Sequence, residues 1–130
     1  MKVTVSRKAH FNAAHRLYRK DWSDEKNQTI FGKCSNPHFH GHNYELVVHV
    51  TGIINPDTGY VIDMKILKDL IKEEVEEKMD HKNLNEEVPE FYDKIPTAEN
   101  MVIVIYEALK PHMNPEHELA VTLYETPRNF

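Results

Sequence analysis

The chain has 130 residues, a formal net charge of −5 at pH 7 and one cysteine. This length is sufficient for one hydrophobic core that needs no disulfide or metal ion for its stability. A single cysteine excludes an internal disulfide and favours a reducing compartment. The sequence contains no apolar run near the roughly eighteen residues of a membrane span and no signal-peptide segment after Met1, so we predict one domain, residues 1–130, in the cytoplasm. The acidic balance argues against nucleic acid as a partner.

Hydrophobic periodicity predicts secondary structure in the order β-β-β-α-α-β. The four predicted strands cover residues 2–12, 42–54, 60–62 and 118–125. Between the first two strands, residues 18–37 form a polar connection in which a short helix begins near Trp22. Asp63 and Thr97 are residue types that cap helix N-termini, and the helices predicted after them cover residues 64–79 and 98–109.

This order favours an α+β fold in which both helices cover one face of an antiparallel four-stranded sheet. Four strands leave two long sheet edges without partners, and such edges pair readily with another chain. We therefore expect an oligomer that is closed through its sheets.

The most informative segment is 34–44, which contains His38, His40 and His42. Residues two apart on a strand share a face, so His40 and His42 direct two imidazoles into one space. A ligand set dominated by histidine favours Zn²⁺ among the metals of proteins. Three protein nitrogens would leave a fourth coordination position for water or substrate, which is the catalytic form of a zinc site.

The pattern alone leaves three alternatives open. His10 and His15 lie five residues apart and point to opposite faces of a regular strand, so only one of them can be the third ligand. His38 shares the face of His40 under strict alternation, yet Pro37 favours a loop at this point. A closed structural site with Cys34 as a further ligand is the alternative to a catalytic site.

Two other groups suggest chemistry. Asp80 precedes His81 at the C-terminal end of the first long helix, where the helix dipole favours an imidazolium and a carboxylate can orient the ring for acid–base work. Glu125 ends the last apolar strand, and spacing alone allows either an exposed strand-end carboxylate or a functional one.

Charge is distributed unevenly along the chain. Residues 1–43 contain eight Lys and Arg against three acids, whereas residues 44–130 contain eight against eighteen. Because the basic part brackets the histidines, it would concentrate an anionic substrate near them. We expect a substrate that carries phosphate.

Several blocks of sequence, in order along nearly the whole chain, resemble the 6-pyruvoyltetrahydropterin synthase family, which includes the related 6-carboxytetrahydropterin synthases of 7-deazaguanine biosynthesis. The blocks are FNAAHRL (11–17), FGKC (31–34), NP (36–37), HGHNY (40–44), PDTG (56–59), LK (67–68), DHKNL (80–84), Thr97, EN (99–100) and YET (124–126).

The resemblance implies a role for each matching residue. The implied zinc ligands are His15, His40 and His42. The implied base is Cys34, the implied proton relay is Asp80 with His81, and the implied pterin contacts are Glu125 and Thr97. Ala98 stands where many family members have a second threonine, and alanine has no hydroxyl for that pocket contact.

The resemblance also implies the tunnelling fold, in which the sheets of three subunits close into a barrel and two trimers stack into a homohexamer with active sites between subunits. The implied activity is that of a zinc-dependent lyase of tetrahydrobiopterin biosynthesis, which converts 7,8-dihydroneopterin triphosphate to 6-pyruvoyltetrahydropterin with elimination of triphosphate. The five residues between Cys34 and His40 resemble this pyruvoyl-forming branch.

Two other functions are the alternatives. A 6-carboxy-5,6,7,8-tetrahydropterin synthase would release acetaldehyde and triphosphate from the same substrate, in queuosine biosynthesis. A zinc-stabilised module without catalysis would need all metal ligands from protein, with Cys34 among them.

Overall fold

Two strands of 14 residues form the centre of the sheet in the computed structural model, which describes residues 1–130. Strand β1 covers Lys2–His15 and β2 covers His40–Ile53, and they pair antiparallel over their full length. Strand β3 is Lys82–Asn83, and strand β4, Glu118–Tyr124, pairs antiparallel with the other edge of β2. The order across the sheet is β3-β1-β2-β4.

The sheet is mixed, and the prediction of a purely antiparallel sheet was wrong. Strand β3 lies parallel to β1, beside Ala13 and Ala14. The strand predicted at residues 60–62 does not form, and this segment instead follows a turn closed by hydrogen bonds between Asn55 and the Gly59–Tyr60 pair. A returning strand has no place there because β1 and β4 occupy both edges of β2.

The helices follow the predicted order, with additional short ones between them. Helix α1 is Asp24–Phe31, followed by a 3₁₀ turn, Gly32–Ser35. Helix α2 begins with Met64–Ile71 and continues through a π-helical segment, Lys72–Glu76, to Glu77–Met79. Helix α3 is Leu84–Glu87, and helix α4 is Ala98–Leu109. The side chains of Asp63 and Thr97 accept backbone N–H bonds at the starts of α2 and α4, which confirms both predicted caps.

No helix combines the length and the apolar character that a membrane crossing requires.

The core lies between one face of the sheet and the helices α2 and α4. Alternate residues of the central strands, such as Phe11, Tyr44 and Leu46, face the helices and join a single cluster of 19 buried residues. The opposite face carries polar pairs, among them Thr4 with Thr51 and Ser6 with His49. His15, His40 and His42 lie on the same face of the sheet as these core residues. The three histidines therefore lie at one end of the core.

Gly52, on the core face of β2, provides a test of this packing. A Cβ atom there would lie 2.9 Å from Cδ2 of His117 and 3.2 Å from Cγ1 of Val61. We expect Gly52→Ala to lower the free energy of unfolding by about 1–3 kcal/mol in urea unfolding, because overpacking forces neighbours out of place. Gly41→Ala on the same strand is the control, since its nearest contact would be an ordinary 3.5 Å to the Ala13 carbonyl oxygen. Equal stability of the two variants would contradict this packing.

Candidate metal centre and active site

Three histidines meet where β1 ends and β2 begins. His15 is the last residue of β1 and lies opposite His40, the first residue of β2, while His42 lies two residues farther along on the same face. The ring centroids are 4.5 Å apart for His15 and His40, and 5.0 Å apart for each of the other two pairs. One potential ligand atom of each ring lies within 4.8 Å of the other two.

One nitrogen of each ring is buried and has no hydrogen-bond partner: Nε2 of His15, Nδ1 of His40 and Nε2 of His42. Buried polar atoms are nearly always hydrogen-bonded, so three orphan nitrogens facing one space require an explanation. A metal ion that prefers imidazole, such as Zn²⁺, satisfies all three at once. The residues present therefore fit the metal centre that the sequence predicts.

The surroundings of His15 prepare it for this role. Its Nδ1–H donates to the Pro96 carbonyl oxygen at 2.8 Å, and since a carbonyl can only accept, Nε2 carries the lone pair. The hydroxyl of Tyr44 lies 3.3 Å from the same Nδ1. Burial lowers the pKa of His15 to about 4 and also lowers the pKa of His40. The neutral ring is the form that binds metal.

The structure leaves the other two candidate histidines outside the centre. His10 lies on the exposed face of β1, because an odd separation from His15 reverses its direction. The His38 backbone N–H donates to the side chain of Asn36, and Phe39 has a φ of 67°, so the chain turns before the strand begins at His40. The alternation that would have joined His38 to the group is broken at Phe39.

Cys34 is hydrogen-bonded through its backbone to the chain just after His15, and it is not part of the histidine group. The residue sits in the 3₁₀ turn after α1 and is half-buried, and its carbonyl accepts from the Leu17 N–H at 2.8 Å. The group of mutually close ligand atoms consists of three imidazoles and does not include its sulfur. This geometry does not supply the fourth protein ligand that a closed structural site needs.

Asp80 and His81 form a pair that is anchored to β1. Nδ1 of His81 lies 3.0 Å from a carboxylate oxygen of Asp80. Asn12 binds both residues, because its N–H donates to Asp80 at 2.9 Å and its carbonyl accepts from the His81 N–H at 2.7 Å. The bond from Asn12, followed by that from His81, lowers the pKa of Asp80. The His81 ring is exposed and borders the same open depression as His42.

Glu125 and Thr97 line a cavity of about 770 Å³ between β4 and the start of α4. Its apolar walls include Phe31 and Phe130. The side chain of Glu125 is 22% exposed, and its Oε1 lies 3.6 Å from Nε2 of His42. The carboxylate thus stands where the cavity meets the histidines, and it is not the exposed strand end that spacing alone allowed.

The sequence did not identify Pro96, Tyr44 or Asn85 as part of the site. Pro96 and Tyr44 contact the His15 ring, and Asn85 binds the backbone of the next residue, Arg16. Pro96 contributes a backbone carbonyl, and a carbonyl leaves no mark in a sequence. The sequence pattern placed Tyr44 within a predicted strand and Asn85 between the two long predicted helices. The alternation of β2 places Tyr44 on the face of His42, which is the one signal that could have identified it.

The α+β fold thus combines three imidazoles that are compatible with a metal centre with a neighbouring cavity that is lined by a carboxylate. A family model described as "PTPS: 6-pyruvoyl tetrahydropterin synthase" matches residues 4–130. The chain belongs to the 6-pyruvoyl tetrahydropterin synthase family, as the sequence blocks predicted.

Individual relatives agree with this assignment. The 6-pyruvoyl tetrahydrobiopterin synthases of Pongo abelii and Homo sapiens are 46% and 45% identical over 126 residues, which are 97% of this chain and 87% of each relative. The structure of Caenorhabditis elegans 6-pyruvoyl tetrahydropterin synthase matches with a TM-score of 0.93 and 40% identity, over 99% of this chain and 92% of that one. A 6-carboxy-5,6,7,8-tetrahydropterin synthase of Rickettsia bellii is 25% identical over 98% of this chain and 97% of its own.

The metal centre predicts different effects for two neighbouring histidines. His40→Ala would remove one of the three candidate ligands, so we expect this variant to bind much less zinc than the parent after both are incubated with zinc, as measured by elemental analysis. His38→Ala is the matched control and should keep its zinc, because His38 lies in the turn outside the cluster. Full zinc retention in His40→Ala would refute the centre.

Burial of His15 predicts an acid-sensitive fold in the metal-free protein. The folded pKa of about 4 lies below the ordinary 6.5, so the stability that neutral His15 contributes is fully present above pH 6.5 and is lost as the pH falls towards 4. At about 1.4 kcal/mol per pKa unit, the loss approaches ~3 kcal/mol. Urea unfolding of chelator-treated protein at several pH values measures it.

His15→Gln provides the comparison for this titration. The variant lacks the titrating ring, so the stability difference between parent and variant should shrink as the pH is lowered. A difference that stays the same across this pH range would show that His15 is not held neutral by burial.

Proposed function

We propose that this protein is a zinc-dependent lyase that converts 7,8-dihydroneopterin triphosphate to 6-pyruvoyltetrahydropterin, with elimination of triphosphate, in tetrahydrobiopterin biosynthesis. The observation that carries the proposal is the position of Glu125 between the histidine cluster and the cavity. The relatives at 45–46% identity are named for the pyruvoyl activity, whereas the named 6-carboxy relatives are 25–26% identical.

The cavity suits a flat heterocycle. The apolar residues that line the cavity include Leu17, Phe31, Val102, Val121 and Phe130. The carboxylate of Glu125 can accept two parallel hydrogen bonds from the N–H groups on the guanidine-like edge of a pterin, which sets the orientation of the ring. The hydroxyl of Thr97 already accepts the Asn100 N–H as a helix cap, so toward the ligand it can act as a donor.

His15, His40 and His42 would hold the metal at the end of this cavity. Zinc bound there supplies a Lewis acid that lowers the pKa of hydroxyl groups on the substrate side chain. The Pro96 carbonyl fixes the orientation of the His15 ring. His40 and His42 lie two residues apart on one strand, so their rings extend from the same face.

Two groups are assigned to proton transfer. Cys34, as a thiolate, removes a carbon-bound proton from the substrate side chain. His81 returns and relays protons during triphosphate elimination, and Asp80 holds its ring in place. Three lysines of the basic part, Lys20, Lys26 and Lys33, have no ion-pair partner and would attract the triphosphate, whereas Arg19 is already paired with Asp21.

We further propose a homohexamer built from two barrel-forming trimers, in the cytoplasm. The outer edge of β4 has no strand partner, and β1 is paired with β3 only at Ala13 and Ala14. Pairing of these edges between copies would bury their backbone groups and close a barrel. The exposed ring of His81 suits a site that is completed by another subunit, and the single free Cys34 suits a reducing compartment.

Incubation of the zinc-loaded protein with 7,8-dihydroneopterin triphosphate tests the activity. Release of triphosphate with formation of 6-pyruvoyltetrahydropterin, and without acetaldehyde, is the expected result. Stoichiometric acetaldehyde with a 6-carboxy product would instead identify the 6-carboxy synthase activity. Absence of any triphosphate release would overturn both assignments.

Cys34→Ala separates catalysis from metal binding. We expect this variant to retain zinc and assembly and to lose turnover, because Cys34 is assigned as a base and lies outside the ligand group. Zinc content and the rate of triphosphate release are the two measurements. Loss of zinc together with unfolding would support a structural module in which Cys34 binds the metal.

Glu125→Gln tests pterin recognition. A charge-assisted hydrogen-bonded pair contributes about 1.5–3 kcal/mol, so replacing one acceptor with an amide donor should weaken pterin binding by roughly tenfold or more. Zinc content should not change. Glu118→Gln at the start of β4 is the control, because Glu118 is exposed and pairs only with Lys2. Equal pterin affinities of the two variants would place the pocket elsewhere.

A further inference from the structure

The backbone just after His15 lacks the strand partners that hold the rest of β1. The pairing with β2 ends where His15 lies opposite His40, and β3 contacts only Ala13 and Ala14. Arg16 is the next residue, and neither its N–H nor its carbonyl has a strand to bind. This position matters because any displacement of Arg16 also displaces the metal-binding ring beside it.

The side chain of Asn85 replaces the missing strand. The Arg16 N–H donates to Asn85 Oδ1 at 2.8 Å, and Asn85 Nδ2 donates back to the Arg16 carbonyl at 2.9 Å. An amide side chain offers a donor and an acceptor side by side, so it can pair with both backbone groups as a neighbouring strand would. Asn85 follows β3 by two residues, and its amide therefore extends the β1–β3 pairing beyond Asn83.

Arg16 and Leu17 in turn hold the segment that carries Cys34. The Leu17 N–H donates to the Cys34 carbonyl at 2.8 Å, and Arg16 Nε donates to the Ser35 carbonyl at 2.7 Å. The guanidinium of Arg16 also stacks on the Tyr18 ring at 3.8 Å from its centroid, which limits its movement. The place of Cys34 relative to the histidines thus depends on residues that Asn85 fixes.

Asn85 is also joined to the Asp80–His81 pair through a short stretch of chain. Its own N–H donates to Asn83 Oδ1 at 3.1 Å, and Asn83 pairs with Ala14 in the sheet. Asn85 therefore connects three parts of the site. These are the segment after Asp80 and His81, the end of β1 that carries His15, and, through Arg16 and Leu17, the turn that carries Cys34.

We infer that Asn85 is a positioning residue, whose amide sets the thiol of Cys34 against the metal-binding histidines. This inference rests on the proposed function for its catalytic consequence only, because the reactivity of the thiol can be measured without substrate. Aspartate at this position would keep the acceptor for the Arg16 N–H and would place a second oxygen against the Arg16 carbonyl. Serine would retain one of the two hydrogen bonds.

Asn85→Asp in the zinc-loaded full chain is the main test. A misplacement of about 1 Å can cost roughly a hundredfold in rate, so we expect kcat to fall at least about tenfold while KM and zinc content stay close to the parent values. Asn85→Ser should give an intermediate kcat. Asn114→Asp is the control and should match the parent, because Asn114 uses only its Oδ1, as an acceptor for the Glu116 N–H.

Alkylation of the thiol provides the readout that a purely structural role would not change. Cys34 is the only cysteine, so iodoacetamide reports on it alone. We expect the alkylation rate and its pH profile to differ between Asn85→Asp and the parent, and to be unchanged in Asn114→Asp.

The outcomes distinguish this inference from the proposed function. An unchanged alkylation profile and an unchanged kcat in Asn85→Asp would overturn the inference, as would a fall in kcat that follows a proportional loss of zinc. If the parent does not turn over the pterin, the proposed function fails, whereas an altered alkylation profile with full zinc content would still support the positioning of Cys34 by Asn85.

Discussion

The register between β1 and β2 is the constraint on which the rest of the molecule depends. Phe11 lies opposite Tyr44, and the same register sets His15 opposite His40. A slip of one residue would turn every side chain of one strand to the other face, which would expose Phe11 and separate His15 from the other imidazoles. The burial of the core residues and the meeting of the three imidazoles therefore depend on the same side-chain alternation along β1 and β2. The hydrophobic effect that stabilises the core also keeps the imidazoles together.

This coupling places polar nitrogens where burial is unfavourable. His15 has no exposed surface, and its Nε2 has no hydrogen-bond partner. At the same end of the core, His40 and His42 each have one buried nitrogen without a partner. The folded chain holds the rings together through packing and through the Pro96 carbonyl, before any ligand binds. A preorganised cluster of this kind binds a cation without a large rearrangement, because the cost of orienting the ligands has been met during folding.

The errors in the predicted sheet have causes in the tertiary structure. The apolar residues at 60–62 resemble a strand, but both edges of β2 are occupied, so this segment packs as irregular chain. Strand β3 has only two residues, which is too short to carry a period of two, and its parallel pairing is decided by the Asn12 contacts to Asp80 and His81. Phe39 and His81 have positive φ values, and their N–H groups donate to the carbonyls of Asn36 and Asn12.

The sequence by itself determined what depends on local spacing: the shared face of His40 and His42, the caps Asp63 and Thr97, the α+β class, and the blocks that identify the family. Spacing left His10 and His15 open as the third ligand, and the family resemblance implied His15. The tertiary structure brings His15 together with His40 and His42, leaves His38 outside that group, and brings Glu125 to His42 across more than eighty residues of chain. It alone revealed the Pro96 carbonyl and the Asn85 amide behind the site. The physical reason is that long-range proximity and backbone hydrogen bonds arise from packing of the whole chain, and a backbone group is the same in every sequence.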